Sequence, residues 1–351
     1  MTTQRLRVGF LGGVRHASPY ATTLATDPRV EIVGVAEQVS APEWIQGAAR
    51  ELASQLGVAW TTDLDSFAGE ESLDLAVVCT EPTRHADVAC IALTAGRNVC
   101  VDKPIATTLA GARRVADAAA SAVGLCAVVN RTFSPALRRL RSWTDAGNIG
   151  LPRHVDVEFL TSLRTFATDV EDPRLVVDQE LSGGGELRNF LGYAVDAIRY
   201  LTGLEIAEVY AETSNLFNGP HAEHGVEDAG VVSMLLQHGV TATATIARVP
   251  AVPTIGPAHS AIRLIGSHGY ATADDEHPRV LRFDGDAVSA VPVDGGGGRV
   301  AVDAFFHDLI ERVLCRDSAG YSVLDACAGV QAVDAAYRSS ATGRNIVLRH
   351  D

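Results

Sequence analysis

Through the first 130 residues, short β-branched apolar runs alternate with amphipathic stretches of helical period. The pattern predicts strands over residues 7–11, 30–36, 73–79, 98–101 and 124–129, with helices over 16–27, 42–56, 86–95 and 110–122. These strands are apolar on both faces, which calls for a parallel sheet covered by helices on both sides. Gly96 falls where a C′ glycine would close its helix. Beyond residue 130 the rhythm changes. Residues 153–160, 207–213, 229–236, 240–247 and 261–265 read as strands, some alternating polar with apolar as a sheet with one wetter face does. Helices are predicted over 187–201 and 302–314.

The chain has 351 residues, more than one compact core usually holds, and divides into an N-terminal domain over 1–129 and a C-terminal domain over 130–351. The expected fold class is α/β: a dinucleotide-binding domain of the Rossmann kind, then an α/β domain with a large, mostly antiparallel open sheet. Hydrophobic residues make up 47% and charged residues 21%, the composition of a soluble globular protein. A net charge of −14 argues against nucleic acid and against anionic membrane surfaces as partners. No apolar run is long enough to span a bilayer, and Met1 to Arg5 lead straight into the first strand without a separate leader, so a cytoplasmic protein is expected. The six cysteines lie singly in apolar segments without a Cys-x-x-Cys pair; no zinc site or disulfide framework is expected. His221-Ala222-Glu223-His224 has a spacing of three rather than the metalloprotease four and reads as a surface segment, and no metal is expected. The glycine run at 294–298 reads as a surface loop.

The first strand turn is Gly9-Phe10-Leu11-Gly12-Gly13-Val14-Arg15-His16-Ala17. In register with the dinucleotide fingerprint, Gly12 is the tight-turn glycine and Ala17 the small packing residue. Val14 stands at the middle position, where backbone must approach a pyrophosphate. Gly13 beside it is expected to let the turn adjust. The second strand ends in Glu37, where a carboxylate would hold a ribose 2′-hydroxyl and repel a 2′-phosphate, so NAD is expected rather than NADP. Thr80, Pro82 and His85 follow the third predicted strand at the same sheet edge. His85 can serve either a ligand or the start of its helix.

Of 29 basic residues, 28 are arginine and one is Lys103, in Val101-Asp102-Lys103-Pro104 at the end of a buried strand. Lysine, unlike arginine, can release a proton near neutral pH when buried. This segment resembles the Glu-Lys-Pro signature of the glucose–fructose oxidoreductase and inositol dehydrogenase (Gfo/Idh/MocA) family. The resemblance extends through Thr80-Glu81-Pro82-Thr83-Arg84-His85, Asn130-Arg131-Thr132-Phe133, Gly147-Asn148-Ile149-Gly150 and Tyr337-Arg338-Ser339. It includes Gly183-Gly184-Gly185-Glu186-Leu187-Arg188-Asn189-Phe190-Leu191-Gly192-Tyr193, where the family commonly carries an aspartate and, four residues on, a histidine. Here these positions hold Asn189 and Tyr193. Tyrosine resembles one branch of the family; asparagine cannot take a proton.

The resemblance implies an NAD-dependent oxidoreductase moving a hydride between nicotinamide and a hydroxyl-bearing carbon of a sugar, polyol or cyclic diol. Tyr193 and Lys103 would share the acid–base role, in either order, with Lys103 also at the cofactor. Asn189 would orient the reacting hydroxyl, and Arg131 and Phe133 would shape the substrate pocket or serve the structure alone. Specificity would rest on residues 161–177, which carry no readable code. The alternatives are a redox-neutral elimination or epimerisation with retained NAD, or a non-catalytic dinucleotide-binding regulator. A homodimer or homotetramer is expected through the open sheet face.

Overall fold

The computed structural model describes residues 5–167, 172–252, 258–274, 279–284, 287–292, 297–317 and 320–349. The chain forms two compact units. The first comprises residues 1–129, 180–183 and 305–327, and the second 130–179, 184–304 and 328–351. The single cut expected at 129/130 therefore marks only the first of several crossings. Two long C-terminal helices carry the chain back, and their length could not be read from composition.

The first unit alternates β1 (Leu6–Leu11), α1 (Ala17–Ala25), β2 (Val30–Ala36), α2 (Glu43–Leu56), β3 (Ala59–Thr61), α3 (Leu64–Gly69), β4 (Leu75–Val78), α4 (His85–Thr94), β5 (Asn98–Val101), α5 (Leu109–Ser121) and β6 (Cys126–Val128). All its strands are parallel, in the order β3-β2-β1-β4-β5-β6, so the order reverses beside β1 and creates a crevice at the strands' carboxyl ends. β4 is fully buried along its length, as its apolar run requires. The sequence pattern missed β3 and α3. α3 explains two glycines inside strands: Gly9 and Gly34 pair across β1 and β2, and a Cβ on either would strike the Phe67 ring at 2.6 or 2.8 Å. Gly96 does close α4, at φ +77°, its N–H donating to the Leu93 carbonyl at 2.9 Å.

The second unit contains α6 (Pro135–Asp145), β7 (Pro152–Ser162), α7 (Arg164–Ala167), α8 (Arg174–Val177), α9 (Gln179–Ser182), a π-helical turn (Leu187–Leu191), α10 (Gly192–Thr202), β8 (Ile206–Ser214), α11 (Gly219–Glu223), β9 (Ala229–Leu236), β10 (Thr241–Val249), β11 (Ala258–Gly266), β12 (Tyr270–Asp274), β13 (Arg279–Asp284), β14 (Ala287–Pro292), α12 (Gly297–Cys315), α13 (Val323–Thr342) and β15 (Ile346–Val347). By the division above, part of α9 and the later part of α12 and earlier part of α13 belong to the first unit. The sheet order is β14-β13-β12-β11-β7-β10-β9-β8-β15, and β7 with β10 is its one parallel pair among the described residues. Leu137 and Leu140 from α6, Leu191, Val195, Ile198 and Leu201 from the π turn and α10, and Val333 and Ala336 from α13 pack against one face. Each Leu, Ile or Val side chain fully buried there stabilises by about 1.5–3 kcal/mol. β9 alternates Val232 and Met234, buried in that same core, with Val231 and Leu235 exposed on the other face. Gly297 and Gly298 open α12 instead of lying in a loop, while 294–296 fall outside the described residues.

Candidate active site

At the carboxyl edge of the first sheet, the β1–α1 turn is shaped by Gly12. Its φ is +94°, and a Cβ there would lie 2.5 Å from the Cys79 carbonyl oxygen. Gly13 also has a packing duty. A Cβ on it would stand 2.3 Å from Ala49 Cα, so it lets α2 pack against the turn. Val14 is buried at 5% exposure and its N–H donates to the Cys79 carbonyl at 3.1 Å, which directs its side chain into the core. Arg15 adopts φ +54°, conformational space that glycine would enter without a Cβ penalty.

Glu37 follows β2 and is fully buried, not a solvated strand end. Its Oε1 accepts from Arg84 Nη1 and from the Gln38 N–H, both at 2.8 Å. Its Oε2 is buried and has no hydrogen-bond partner among the described residues. An ionised oxygen left in that state costs at least 1–3 kcal/mol unless a ligand donor meets it, roughly the desolvation penalty of a polar group. Arg84 also forks onto Glu81, through Nε to Oε1 and through Nη2 to Oε2 at 2.5 Å, and reaches Gln38 Oε1 at 3.0 Å. Burial works against its charge, and the Glu81 and Glu37 carboxylates more than offset that, raising its pKa.

Thr80 is fully buried, with its hydroxyl donating to the Glu81 carbonyl at 3.2 Å, and Pro82 opens a short 3₁₀ turn, Pro82–Arg84. His85 begins α4 with no exposed surface. Its Nδ1 lies 2.6 Å from the Pro104 carbonyl oxygen and its Nε2 3.0 Å from that of Thr80. Both ring nitrogens thus face backbone carbonyl oxygens outside α4.

Lys103 is buried at 7% exposure, and its backbone N–H donates to Asp102 Oδ1 at 2.8 Å. Sequence reasoning passed over Asp102. It is fully buried, accepts from Tyr20 Oη at 2.7 Å, lies 2.8 Å from His16 Nδ1 and 3.8 Å from Arg15 Nε. Burial raises its pKa, but His16 foremost, then Arg15, pull the other way and hold the carboxyl far below the usual carboxylate range. The signal for it was its place beside Lys103, with no partner visible until the β1–α1 turn came alongside. Burial also pushes up the thiols of Cys79 and Cys100, Cys126 to about 12 and Cys327 to about 11, so none is a nucleophile near neutrality.

In the second unit, Gly184 at φ +156° and Gly185 begin the approach to the π-helical turn; a Cβ on Gly185 would lie 2.1 Å from the Glu227 carbonyl oxygen. Asn189 is buried inside this turn, not on the regular helix that a four-residue spacing implied, and Tyr193 sits in the first turn of α10. π-helical turns recur at functional sites because they push a side chain out of regular register. The Tyr193 ring joins Phe159 and Phe190 at centroid distances of 6.0 and 6.4 Å. Arg131 places its guanidinium 4.8 Å over Phe159 and 5.1 Å over Tyr193. Gly298 makes this possible, as a Cβ there would meet Arg131 Nη2 at 2.4 Å. Phe133, nearly buried, instead has Arg138 over its ring at 4.4 Å.

The same unit holds a buried ionic cluster unmarked in the sequence. Glu186 Oε1 accepts from Arg248 Nε at 2.5 Å and faces His221 Nε2 at 3.0 Å, while Oε2 faces Arg248 Nη2 at 3.3 Å. His221 is fully buried and not part of a surface segment: α11 turns it inward, where Asn218 lies 2.6 Å from its Nδ1. Arg248 also donates to the Thr165 hydroxyl and lies 4.1 Å over Phe166. Among the described residues no group of three or more His, Cys, Asp or Glu side chains could hold a metal. A cavity of about 610 Å³ in the first unit lies at the opposite, amino-terminal end of β5 and β6, among Asn98, Ala119, Cys126, Arg312 and Val323, so cavity size does not locate this chemistry.

A doubly wound parallel domain with a carboxylate after β2, joined to a mixed nine-stranded domain, defines a dinucleotide-dependent oxidoreductase class. Residues 6–130 match the oxidoreductase family with the NAD-binding Rossmann fold, and residues 137–272 match the GFO/IDH/MocA C-terminal domain. The chain belongs to the Gfo/Idh/MocA family, and its N-terminal domain is that family's NAD-binding domain. It is 26% identical to the inositol 2-dehydrogenase of Rhizobium meliloti over 352 residues, covering 98% of this chain and 99% of that one. It is 24% identical to the scyllo-inositol 2-dehydrogenase (NAD(+)) of Bacillus subtilis, over 82% of this chain and 80% of that one. In fold it is similar to levoglucosan dehydrogenase in complex with NADH, with a TM-score of 0.84 at 20% identity, covering 99% and 100% of the two chains. Among the described residues no helix is long and apolar enough to cross a membrane.

Proposed function

We propose that this protein is an NAD-dependent dehydrogenase or reductase acting at a CH–OH carbon of a sugar, polyol or cyclic diol. The observation that carries the cofactor half is Glu37, whose buried Oε2 awaits a donor at the carboxyl end of β2, where a ribose hydroxyl supplies one. Gly12 and Val14 form the turn against which the diphosphate would lie, with Thr80 and Pro82 on the neighbouring edge. NAD, when bound, supplies the carbon that accepts or returns the hydride. One of Lys103 and Tyr193 would take the hydroxyl proton during oxidation and return it during reduction, and Asn189 would hold the reacting hydroxyl by a hydrogen bond. Arg131 stacks on Tyr193 and keeps its ring in place. Phe133 lines the substrate side. The substrate class rests on the two named curated relatives, both inositol dehydrogenases. The outward face of the nine-stranded sheet, with Val231 and Leu235 exposed, is the surface we assign to a homodimer or homotetramer, in the cytoplasm.

The test is NADH formation with inositols and other polyols. Lys103→Ala and Tyr193→Phe should each lower kcat by about 10²–10⁴, with NAD affinity reduced much less. Wild-type rates retained in both variants would remove the pair from the chemistry.

A further inference from the structure

The NAD preference proposed above rests on Glu37, yet an arginine already stands beside it. Within the first unit, Arg84 Nη1 bonds to Glu37 Oε1 at 2.8 Å, while its Nε and Nη2 are held by Glu81. The Arg84 side chain is 18% exposed and that of Glu37 not at all. Oε1 of Glu37 is saturated by Arg84 and the Gln38 N–H, so Oε2 alone is left for a ligand.

The geometry points to Arg84 as the positioning residue of cofactor selection: it pins Glu37 so that one oxygen faces the ribose, and Glu37 in turn keeps Arg84 from a 2′-phosphate. This rests on the NAD reading and goes one residue further. Two carboxylates around one guanidinium leave a net negative corner, which repels the extra phosphate of NADP. Removing Glu37 alone would leave Arg84 and Glu81 balanced and release Nη1 as a charge-assisted donor. Arginine suits that task because its planar fork meets phosphate oxygens directly. The chain therefore contains an NADP site that a single carboxylate masks, contributed by a residue from the β4–α4 turn and not from the end of β2.

Dissociation constants for NAD and NADP are measured by calorimetry on the full chain without substrate. Glu37→Ser should weaken NAD and tighten NADP, each by on the order of tenfold, and the double variant Glu37→Ser with Arg84→Met should lose the NADP gain. Arg84→Met alone should weaken NAD with no gain in NADP. Arg84→Lys in the Glu37→Ser background should keep part of the gain. Should Glu37→Ser not fold, Glu37→Gln is read by the same criteria. An NADP gain that survives loss of Arg84, or no gain when Glu37 is replaced, overturns the inference. A wild-type chain that binds neither dinucleotide overturns the NAD reading along with it, whereas one that binds NAD and ignores both substitutions overturns the inference alone.

Discussion

Glu37 and Glu186 are both fully buried and both face an arginine, one in each unit, but they are left in opposite conditions. Each oxygen of Glu186 meets a donor, and its arginine is buried as completely as it is. Glu37 has one oxygen met and one unmet, and its arginine reaches the surface. A buried charge that is paired on every side holds local structure together, whereas one paired on a single side is held ready for a ligand. Burial alone therefore does not separate a structural carboxylate from a binding one; the satisfaction of individual oxygens does. Asp102 falls with Glu186 by this measure: both its oxygens are occupied, and it serves Lys103 by fixing the backbone on which the lysine is carried.

The contrast predicts different costs for the same substitution. Glu186→Gln removes the counter-charge of a fully buried arginine and should cost about 3–5 kcal/mol in urea unfolding; a loss under about 1 kcal/mol would mean that Arg248 finds water or another acceptor. Asp102→Asn should cost about 2–3 kcal/mol at neutral pH, with Tyr20 and His16 losing their charged acceptor. Because the folded-state pKa of Asp102 is depressed, its contribution is present above the unfolded carboxylate value of 3.8 and lost as pH falls below it toward the folded value. The wild type should therefore lose stability on acidification more steeply than Asp102→Asn, in thermal unfolding followed from neutral pH downward. An identical slope in the two proteins would argue against the pairing.

Glu37→Gln should cost only about 1 kcal/mol of stability or less, because the side chain is already half unsatisfied and Arg84 keeps Glu81. A cost equal to that of Glu186→Gln would erase the distinction between the two sites. The smallest effect is expected at Glu227, whose Oε1 accepts from the Leu187 N–H and Tyr337 Oη at 2.9 and 2.7 Å. Burial raises its carboxyl pKa despite those donors. The stability linked to that raised pKa is present in acid, below the unfolded value, and is lost as pH rises through the folded one. Glu227→Gln keeps the acceptor and removes the titration, so it should match or exceed wild type above neutrality by about 0.5 kcal/mol. Unfolding measured at two pH values tests this, and a large loss at the higher pH would show that the charge itself is needed.

Five of the six strands of the first unit were legible because a buried parallel strand is apolar on both faces and bounded by turn residues, as at 75–78, whereas β3 is only three residues long. The second unit yielded five strands of its nine, since short hairpin strands such as β12 and β13 lack a long periodic signal. At the site, the lysine and the carboxylate after β2 were visible as residue types at strand ends. The packing duty of Gly13 was not legible because it depends on α2, 36 residues further on at Ala49. His221 was read as exposed because spacing says nothing of which way a short helix faces.

By itself the sequence determined the period of each long element, the switch from parallel to mixed sheet near residue 130, and the presence of one titratable amine at a strand end. These are local properties, set by side-chain volume, polarity and spacing. Only the tertiary structure decided which buried charges are satisfied: Glu186 by Arg248 across 62 positions, Glu37 by Arg84 across 47, and Asp102 by Tyr20 across 82. A hydrogen bond forms within about 3 Å and at a restricted angle, and whether such partners meet depends on how distant segments pack rather than on the residues that flank each one.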